Sequence, residues 1–187
     1  MLIAGIDYSL RCPAVCVFDG DTWSWDNLCF YYLTEKSTKT GVFMKCINGE
    51  RLEDWNQDME RYCSIADWTS EIVLGCDEVA LEGYSMGSRG KVFNIAENTG
   101  VLKYKLFEYG IPLSVYPPTT VKKFATGKGN AKKEQMYDSF VKETKKQIMY
   151  ALSPKAKKVG NPVSDIVDSY YICKMLFNEI TERGAPK

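Results

Sequence analysis

The chain has 187 residues, 45% of them hydrophobic, and this length predicts a single globular domain over residues 1–187 with a sizeable core. It contains no histidine, which excludes a Ser-His-Asp or Cys-His catalytic apparatus and any zinc site that needs imidazole. The 24 basic and 24 acidic residues give a net charge of zero, and no apolar run approaches the roughly 18 residues that span a membrane, so we expect no membrane partner.

Hydrophobic and turn patterns predict three strands in succession at the start of the chain, at residues 2–7, 14–19 and 22–33. Asp19-Gly20-Asp21 supplies a hairpin turn before the third strand. Residues 34–49 are polar and irregular, and we expect a surface loop there.

Helices and strands alternate in the middle of the chain. Apolar residues at helical spacing predict a helix over residues 51–73, and a short buried strand follows at 77–82. A glycine-bearing loop at 83–91 leads to a helix at 92–109, which Gly110 ends, and then to a strand at 111–116.

Helices dominate the remainder. We expect a short helix from Thr119 or Thr120 to Phe124, a helix at 131–146, a basic loop at 150–162 and a final helix at 163–180. The element order predicts an α/β fold with a mixed five-stranded sheet (β-β-β-α-β-α-β), helices on both faces and C-terminal helices. Its opening run of strands argues against a doubly wound nucleotide fold.

The seven cysteines include no Cys-x-x-Cys pair, and several lie in apolar runs such as Val15-Cys16-Val17. An odd number without a framework is typical of reduced thiols that pack in the core, which predicts a cytoplasmic protein.

Charge is strongly segregated along the chain. Residues 117–160 carry 11 lysines against 3 acidic residues, whereas residues 1–116 carry 10 basic residues against 17 acidic ones. A basic block beside an acidic site is what a phosphodiester enzyme needs, although a solvated lysine-rich helix gives the same pattern.

Four acidic residues lie at the edges of apolar segments: Asp7, Glu82, Asp165 and Asp168. Asp7 and Glu82 end buried strands that can be neighbours, and Asp165 and Asp168 share one face of the last helix. Clustered carboxylates repel one another unless a divalent cation neutralises them, so the set predicts a Mg²⁺ or Mn²⁺ site. Singly, Asp7 could cap a turn, Glu82 could pair with a lysine, and Asp165 could cap its helix.

Four ordered motifs, spread over residues 1–176, carry a family resemblance. They are Gly5-Ile6-Asp7-Tyr8-Ser9-Leu10, Ala80-Leu81-Glu82-Gly83-Tyr84, the stretch from Tyr116 through Thr126-Gly127-Lys128-Gly129-Asn130-Ala131-Lys132-Lys133, and Ser164-Asp165-Ile166-Val167-Asp168-Ser169. In this order they resemble the RuvC-like Holliday junction resolvases of the RNase H-like superfamily.

The chain departs from the family's usual pattern in several places. Tyr8-Ser9 stands where the family usually has Pro-Gly, Ile166 and Val167 replace small residues, and residues 34–49 exceed a minimal core. Such departures are typical of divergent members, including phage-encoded ones, for which the location would be the cytoplasm of a bacterial host.

The resemblance implies a crossover junction endodeoxyribonuclease that uses two-metal hydrolysis and leaves 5′-phosphate ends. Asp7 would bridge two Mg²⁺ ions, with Glu82 on one flank and Asp165 and Asp168 on the other, and Mn²⁺ would substitute. Lys133 would offset charge in the transition state or only contact the backbone; both roles remain open.

The resemblance also implies a set of DNA contacts. Tyr84 could stack on an unpaired base or pack under its own loop. The positions expected to contact DNA are Tyr84, Arg89, Lys91, Lys122, Lys123, Lys128, Lys132 and Lys133.

In the resembling family the helix corresponding to residues 92–109 forms a dimer contact, so we expect a homodimer on branched DNA. Two alternatives stay open: another RNase H-like nuclease that cuts flaps, branches or RNA–DNA hybrids, and a DNA-binding homologue without catalysis.

Overall fold

The computed structural model describes residues 1–83 and 92–184. Within them, seven strands form one sheet: β1 (Leu2–Asp7), β2 (Ala14–Asp19), β3 (Leu28–Thr34), β4 (Gly41–Phe43), β5 (Ile47–Arg51), β6 (Glu78–Glu82) and β7 (Leu113–Tyr116). The helices of the same residues are α1 (Asp58–Val73), α2 (Val92–Glu108), α3 (Pro118–Thr126), α4 (Lys133–Thr144), α5 (Ile148–Leu152) and α6 (Val163–Gly184).

The sheet is mixed, and its strand order is β4-β5-β3-β2-β1-β6-β7. The first three strands are antiparallel neighbours, whereas β6 runs parallel to both β1 and β7. The central strand β1 is therefore paired on both sides, and its parallel partner is the strand that ends in Glu82. This arrangement confirms the predicted neighbourhood of the strands that carry Asp7 and Glu82.

Helices cover both faces of the sheet, as predicted. Alternate side chains of β1 point to opposite faces: Ile3 packs in a core with α3 to α6, while Ala4 and Ile6 pack in a second core with α1 and α2. These β1 side chains are completely buried, which explains the continuous apolar run of its sequence.

The predicted number of strands was wrong, since the sheet has seven strands rather than five. Residues 34–49, expected to form a loop, contain β4 and the first part of β5, which pairs in parallel with β3. Ile47 is completely buried in the core and the buried Gly49 lies against Tyr32, and both stabilise β5. A three-residue β4 is too short to show an alternating pattern.

Several other strands and helices begin at different residues from those predicted. The third strand starts at Leu28 rather than residue 22, after a 3₁₀ turn at Trp25–Asn27, and the first helix starts at Asp58 because Arg51 still belongs to β5. The expected basic loop at 150–162 begins inside α5. In the described part of the chain, no helix has both the length and the apolar character that crossing a membrane requires.

Candidate active site

Asp7 and Glu82 lie side by side at the carboxyl ends of two parallel strands. The register pairs Ile6 of β1 with Leu81 of β6, so the residue that follows each of them falls at the same edge of the sheet. Each carboxylate ends a run of completely buried side chains and is itself only partly buried. The pairing of β1 with β6 therefore places Asp7 and Glu82, two of the four predicted site residues, next to each other.

Asp165 and Asp168 come from the first turns of α6, which crosses β1. The close approach depends on Gly5: a Cβ at that position would lie 2.2 Å from the backbone nitrogen of Cys173 and 2.5 Å from the carbonyl oxygen of Ser169. Because no side chain could fit there, the glycine in the first motif lets α6 bring its acidic face to the strand ends.

Burial raises the pKa of all four carboxylates, and repulsion from neighbouring carboxylates adds to the shift at Asp7 and Asp168. Burial, followed by the charges of Asp165, Glu82 and Asp168, raises the pKa of Asp7 well above its usual range, and Lys133 opposes the shift. Burial likewise raises the pKa of Glu82 to about 7, against the pull of Lys122.

Burial is also the main cause of the raised pKa values of the two carboxylates of α6. Burial raises the pKa of Asp168 to about 7, and the charges of Glu82 and Asp165 act in the same direction. Burial raises the pKa of Asp165 to about 6, while Lys133 lowers it. These interactions show that the structure brings the four predicted residues into one electrostatic cluster.

The cluster has the donor chemistry of a divalent metal site. Asp165 is 6% exposed, and its buried Oδ2 atom has no hydrogen-bond partner in the described residues. Four hard carboxylate oxygen donors that repel one another suit Mg²⁺ or Mn²⁺. Within residues 1–83 and 92–184, however, no three acidic, thiol or imidazole side chains already converge closely enough to hold one ion.

Two of the predicted lysines reach the cluster. Lys133, the first residue of α4, donates hydrogen bonds from Nζ to Ser164 Oγ at 3.0 Å and to Asn161 Oδ1 at 3.3 Å. Lys122 of α3 lies near both Glu82 and Asp168, whose pKa values it lowers. Both basic side chains therefore lie beside the carboxylates.

The remaining basic positions divide into two groups. Lys132 lines a second cavity of about 370 Å³ together with Lys122, Lys133 and Asp168. Lys123 and Lys128 are exposed. They do not line this cavity, nor a larger cavity of about 510 Å³ that opens beside Asp7, so their DNA contacts stay predictions. The predicted DNA contacts Tyr84, Arg89 and Lys91 fall outside the described residues.

A cavity of about 510 Å³ opens beside Asp7 and Glu82 and contains arginines that the sequence reading missed. Arg61 of α1 donates to the carbonyl oxygen of Leu10, lies 3.6 Å from Glu35 and stacks 3.8 Å from the ring centre of Trp55. Arg11 is largely exposed at the same cavity. No local signal marks Arg61, because it reaches the site from 54 positions after Asp7.

Comparison with known proteins gives a consistent result. The family model described as "Crossover junction endodeoxyribonuclease RuvC" matches residues 46–159, more than half of the chain. The protein of that name from Corynebacterium glutamicum is 35% identical over 74 residues, which are 39% of this chain and 33% of that protein. This match therefore spans only about a third of the length of the relative.

Solved structures extend the likeness to nearly the whole chain. Thermus thermophilus RuvC in complex with Holliday junction substrate superposes with a TM-score of 0.63 at 19% identity, covering 98% of this chain and 95% of that one. Fowlpox virus resolvase in complex with Holliday junction DNA gives a TM-score of 0.54 at 16% identity, covering 96% and 99%. At these identities the likeness shows a shared fold. The family-model match begins at residue 46 and ends at residue 159, so Asp7, Asp165 and Asp168 lie outside it.

Proposed function

Because the chain belongs to the RuvC family of crossover junction endodeoxyribonucleases, we propose that residues 1–187 act as one nuclease domain that cuts four-way DNA junctions. One observation carries this proposal: four carboxylates from β1, β6 and α6 meet beside Lys122 and Lys133 at one edge of the sheet. Nucleases of this family depend on divalent metal ions, and the oxygen-only donor set favours Mg²⁺, with Mn²⁺ as a substitute.

In the proposed reaction, a water oxygen adds to the scissile phosphorus while the bond to the 3′-oxygen breaks. The products are a 5′-phosphate and a 3′-hydroxyl. Two bound Mg²⁺ ions would supply the activated water and stabilise the leaving oxygen. Asp7, Glu82, Asp165 and Asp168 would hold the ions.

Besides holding the metal ions, the protein would supply positive charge to the reaction. Lys133 and Lys122 supply positive charge close to the carboxylates, where negative charge builds up on the phosphate oxygens in the transition state. The chain has no histidine to take a proton from the water. The free thiols of all seven cysteines suit a cytoplasmic setting, which would be a bacterial host's cytoplasm if the chain is phage-encoded.

We expect the protein to cut a synthetic four-way junction into symmetric nicked duplexes in Mg²⁺ or Mn²⁺, and to be inactive in EDTA. A flap and an RNA–DNA hybrid assayed side by side should be cut at least tenfold more slowly. The readout is strand cleavage on denaturing gels with each of the four strands labelled in turn. Cleavage confined to the hybrid or the flap would assign the chain to another nuclease class, and tight junction binding without any cleavage would make it a binding protein.

Resolving a junction requires two opposed cuts, so we also propose a homodimer formed through α2. This helix packs on α1 through buried Leu102 and Leu106, but its other face presents Phe93 and Phe107, each 81% exposed. Tyr104, also exposed, and Gly100 lie between them at helical spacing. An apolar stripe of this kind is typical of a protein interface.

We expect Phe107→Glu to convert the wild-type dimer to a monomer, because two copies of a charge at a symmetric contact would be desolvated or would repel each other. Sedimentation velocity at micromolar concentration measures this change. Tyr150→Glu is the matched control, because Tyr150 is 71% exposed on α5, away from α2, and this variant should remain dimeric. A monomeric wild type, or a dimeric Phe107→Glu variant, would exclude α2 as the interface.

A further inference from the structure

The segment between β3 and β5, residues 35–46, reaches the start of α6. Its 3₁₀ turn, Ser37–Lys39, carries a partly buried lysine whose ammonium has two partners far away in the sequence. Lys39 Nζ donates to the carbonyl oxygen of Asn161 at 2.6 Å and to Ser153 Oγ at 2.9 Å. These bonds join the segment to both ends of the loop that precedes α6.

Lys39 is itself anchored to the core. The hydroxyl of the completely buried Tyr32 donates to the Lys39 carbonyl oxygen at 2.5 Å. Gly49 of β5 leaves room for this contact, because a Cβ there would lie 2.4 Å from Tyr32 Oη and 2.7 Å from the Lys39 oxygen. The backbone that presents the lysine is therefore bonded to β3 and packs closely against β5.

Asn161 connects this anchor to the active site. Its Oδ1 atom accepts a hydrogen bond from Lys133 Nζ and lies 3.3 Å from Ser164 Oγ. Ser164 Oγ in turn lies 3.4 Å from Asp165 Oδ1, and Asn161 lines the cavity that contains Asp7. Asn161 thus links Lys39, which bonds its backbone, to Lys133, which bonds its side chain, and Ser164 lies between this pair and the carboxylate of Asp165.

We propose that Lys39 is a positioning residue that fixes Asn161 and thereby holds Lys133 in place beside the carboxylates. This proposal rests on the nuclease function proposed above. Removing the ammonium leaves the Asn161 carbonyl oxygen without its charged donor. A displacement of about 1 Å at a reacting group can cost about a hundredfold in rate, so partial loosening should have a measurable effect.

The test compares Lys39→Met with Lys36→Met under single-turnover conditions on a four-way junction in Mg²⁺. Lys36 is an exposed lysine of the same segment, so its variant makes the same change of charge without the contact to Asn161. We expect Lys39→Met to cut about tenfold more slowly with its junction Kd within about twofold of wild type, and Lys36→Met to match wild type. Lys39→Arg, which keeps charge and donors, should recover most of the rate.

A double-variant cycle with Lys133→Met separates positioning from an independent role. If Lys39 acts through Lys133, adding Lys39→Met to Lys133→Met should slow cleavage by less than about twofold. Multiplied effects, an equal rate for Lys39→Met and Lys36→Met, or a rise in Kd that accounts for the whole rate loss would each overturn the proposal. If Lys39→Met does not fold, Lys39→Ala takes its place with the same outcomes.

Amide hydrogen exchange of the metal-free and DNA-free protein tests the positioning role of Lys39 without relying on the proposed nuclease activity. We expect residues 160–166 to exchange at least several-fold faster in Lys39→Met than in Lys36→Met. Unchanged exchange in this segment would overturn the positioning role, whether or not the wild-type protein cuts junctions.

Discussion

We expect Asp7→Asn to abolish junction cleavage, with the single-turnover rate falling by at least about a thousandfold, equivalent to about 4 kcal/mol of transition-state stabilisation. Asp7 is repelled by the other three carboxylates of the cluster: Asp165, Glu82 and Asp168 all raise its pKa. The amide keeps the shape of the side chain but removes the charge and one hard oxygen donor. Binding of the junction should stay within about twofold, because Lys122 and Lys133 are unchanged.

Two measurements check this expectation: cleavage under single-turnover conditions, and junction binding by fluorescence anisotropy in Ca²⁺ or EDTA. Asp21→Asn is the matched control, because Asp21 is fully exposed at the hairpin turn after β2 and its variant should cut like wild type. Near wild-type cleavage by Asp7→Asn would show that the reaction does not take place at these carboxylates. Loss of folding is not expected, since the substitution removes a repelling charge.

The sequence was sufficient to place the carboxylates because each one is encoded locally. Asp7 and Glu82 each follow a buried apolar run. When two such strands pair in parallel, their carboxyl ends lie at the same edge of the sheet, so the two acidic residues become neighbours. Asp165 and Asp168 are one turn apart, so any helix places them on one face. The close crossing of α6 over β1 also depends on Gly5, and this role is visible only in the structure.

The parts that the sequence did not reveal depend on contacts between distant segments. β4 and β5 exist through pairing with each other and with β3, and Gly49 matters only because Tyr32 lies opposite it. The bond from Lys39 to Asn161 joins residues 122 positions apart, and Arg61 reaches the turn after Asp7 from α1. No periodicity or motif within a window of local sequence carries such information.

Divalent metal should stabilise the protein at pH 8 and much less at pH 5. The pKa values of Glu82 and Asp168 are raised to about 7 and that of Asp165 to about 6, whereas carboxyls in the unfolded chain titrate near 4. Between pH 4 and 7 the folded metal-free protein therefore binds more protons than the unfolded chain. Its stability falls as the pH rises through this window, because the buried carboxylates become charged and repel one another.

A bound divalent ion offsets the repulsion among the carboxylates and so restores stability. It does so only at a pH at which the carboxylates are ionised, because protons and metal compete for the same oxygens. At pH 8 and a metal concentration about a hundredfold above Kd, mass action contributes about 2.7 kcal/mol, which corresponds to a rise of about 5–10 °C in Tm. At pH 5 the rise should shrink to about 2 °C or less. Thermal melts followed by circular dichroism, with Mg²⁺ or Mn²⁺ at constant ionic strength, measure both shifts.

Neutralising one carboxylate should reproduce the effect of metal without any metal present. Asp168→Asn is expected to raise the Tm of the metal-free protein at pH 8, since the partly buried Asp168 is repelled by Glu82 and Asp165, and to reduce its response to Mg²⁺. Asp54→Asn should melt and respond like wild type, because Asp54 is exposed in an ion pair with Arg51. Equal metal-induced shifts at pH 5 and pH 8, or an unaltered response in Asp168→Asn, would mean that the ion binds elsewhere and that repulsion among these carboxylates does not govern stability.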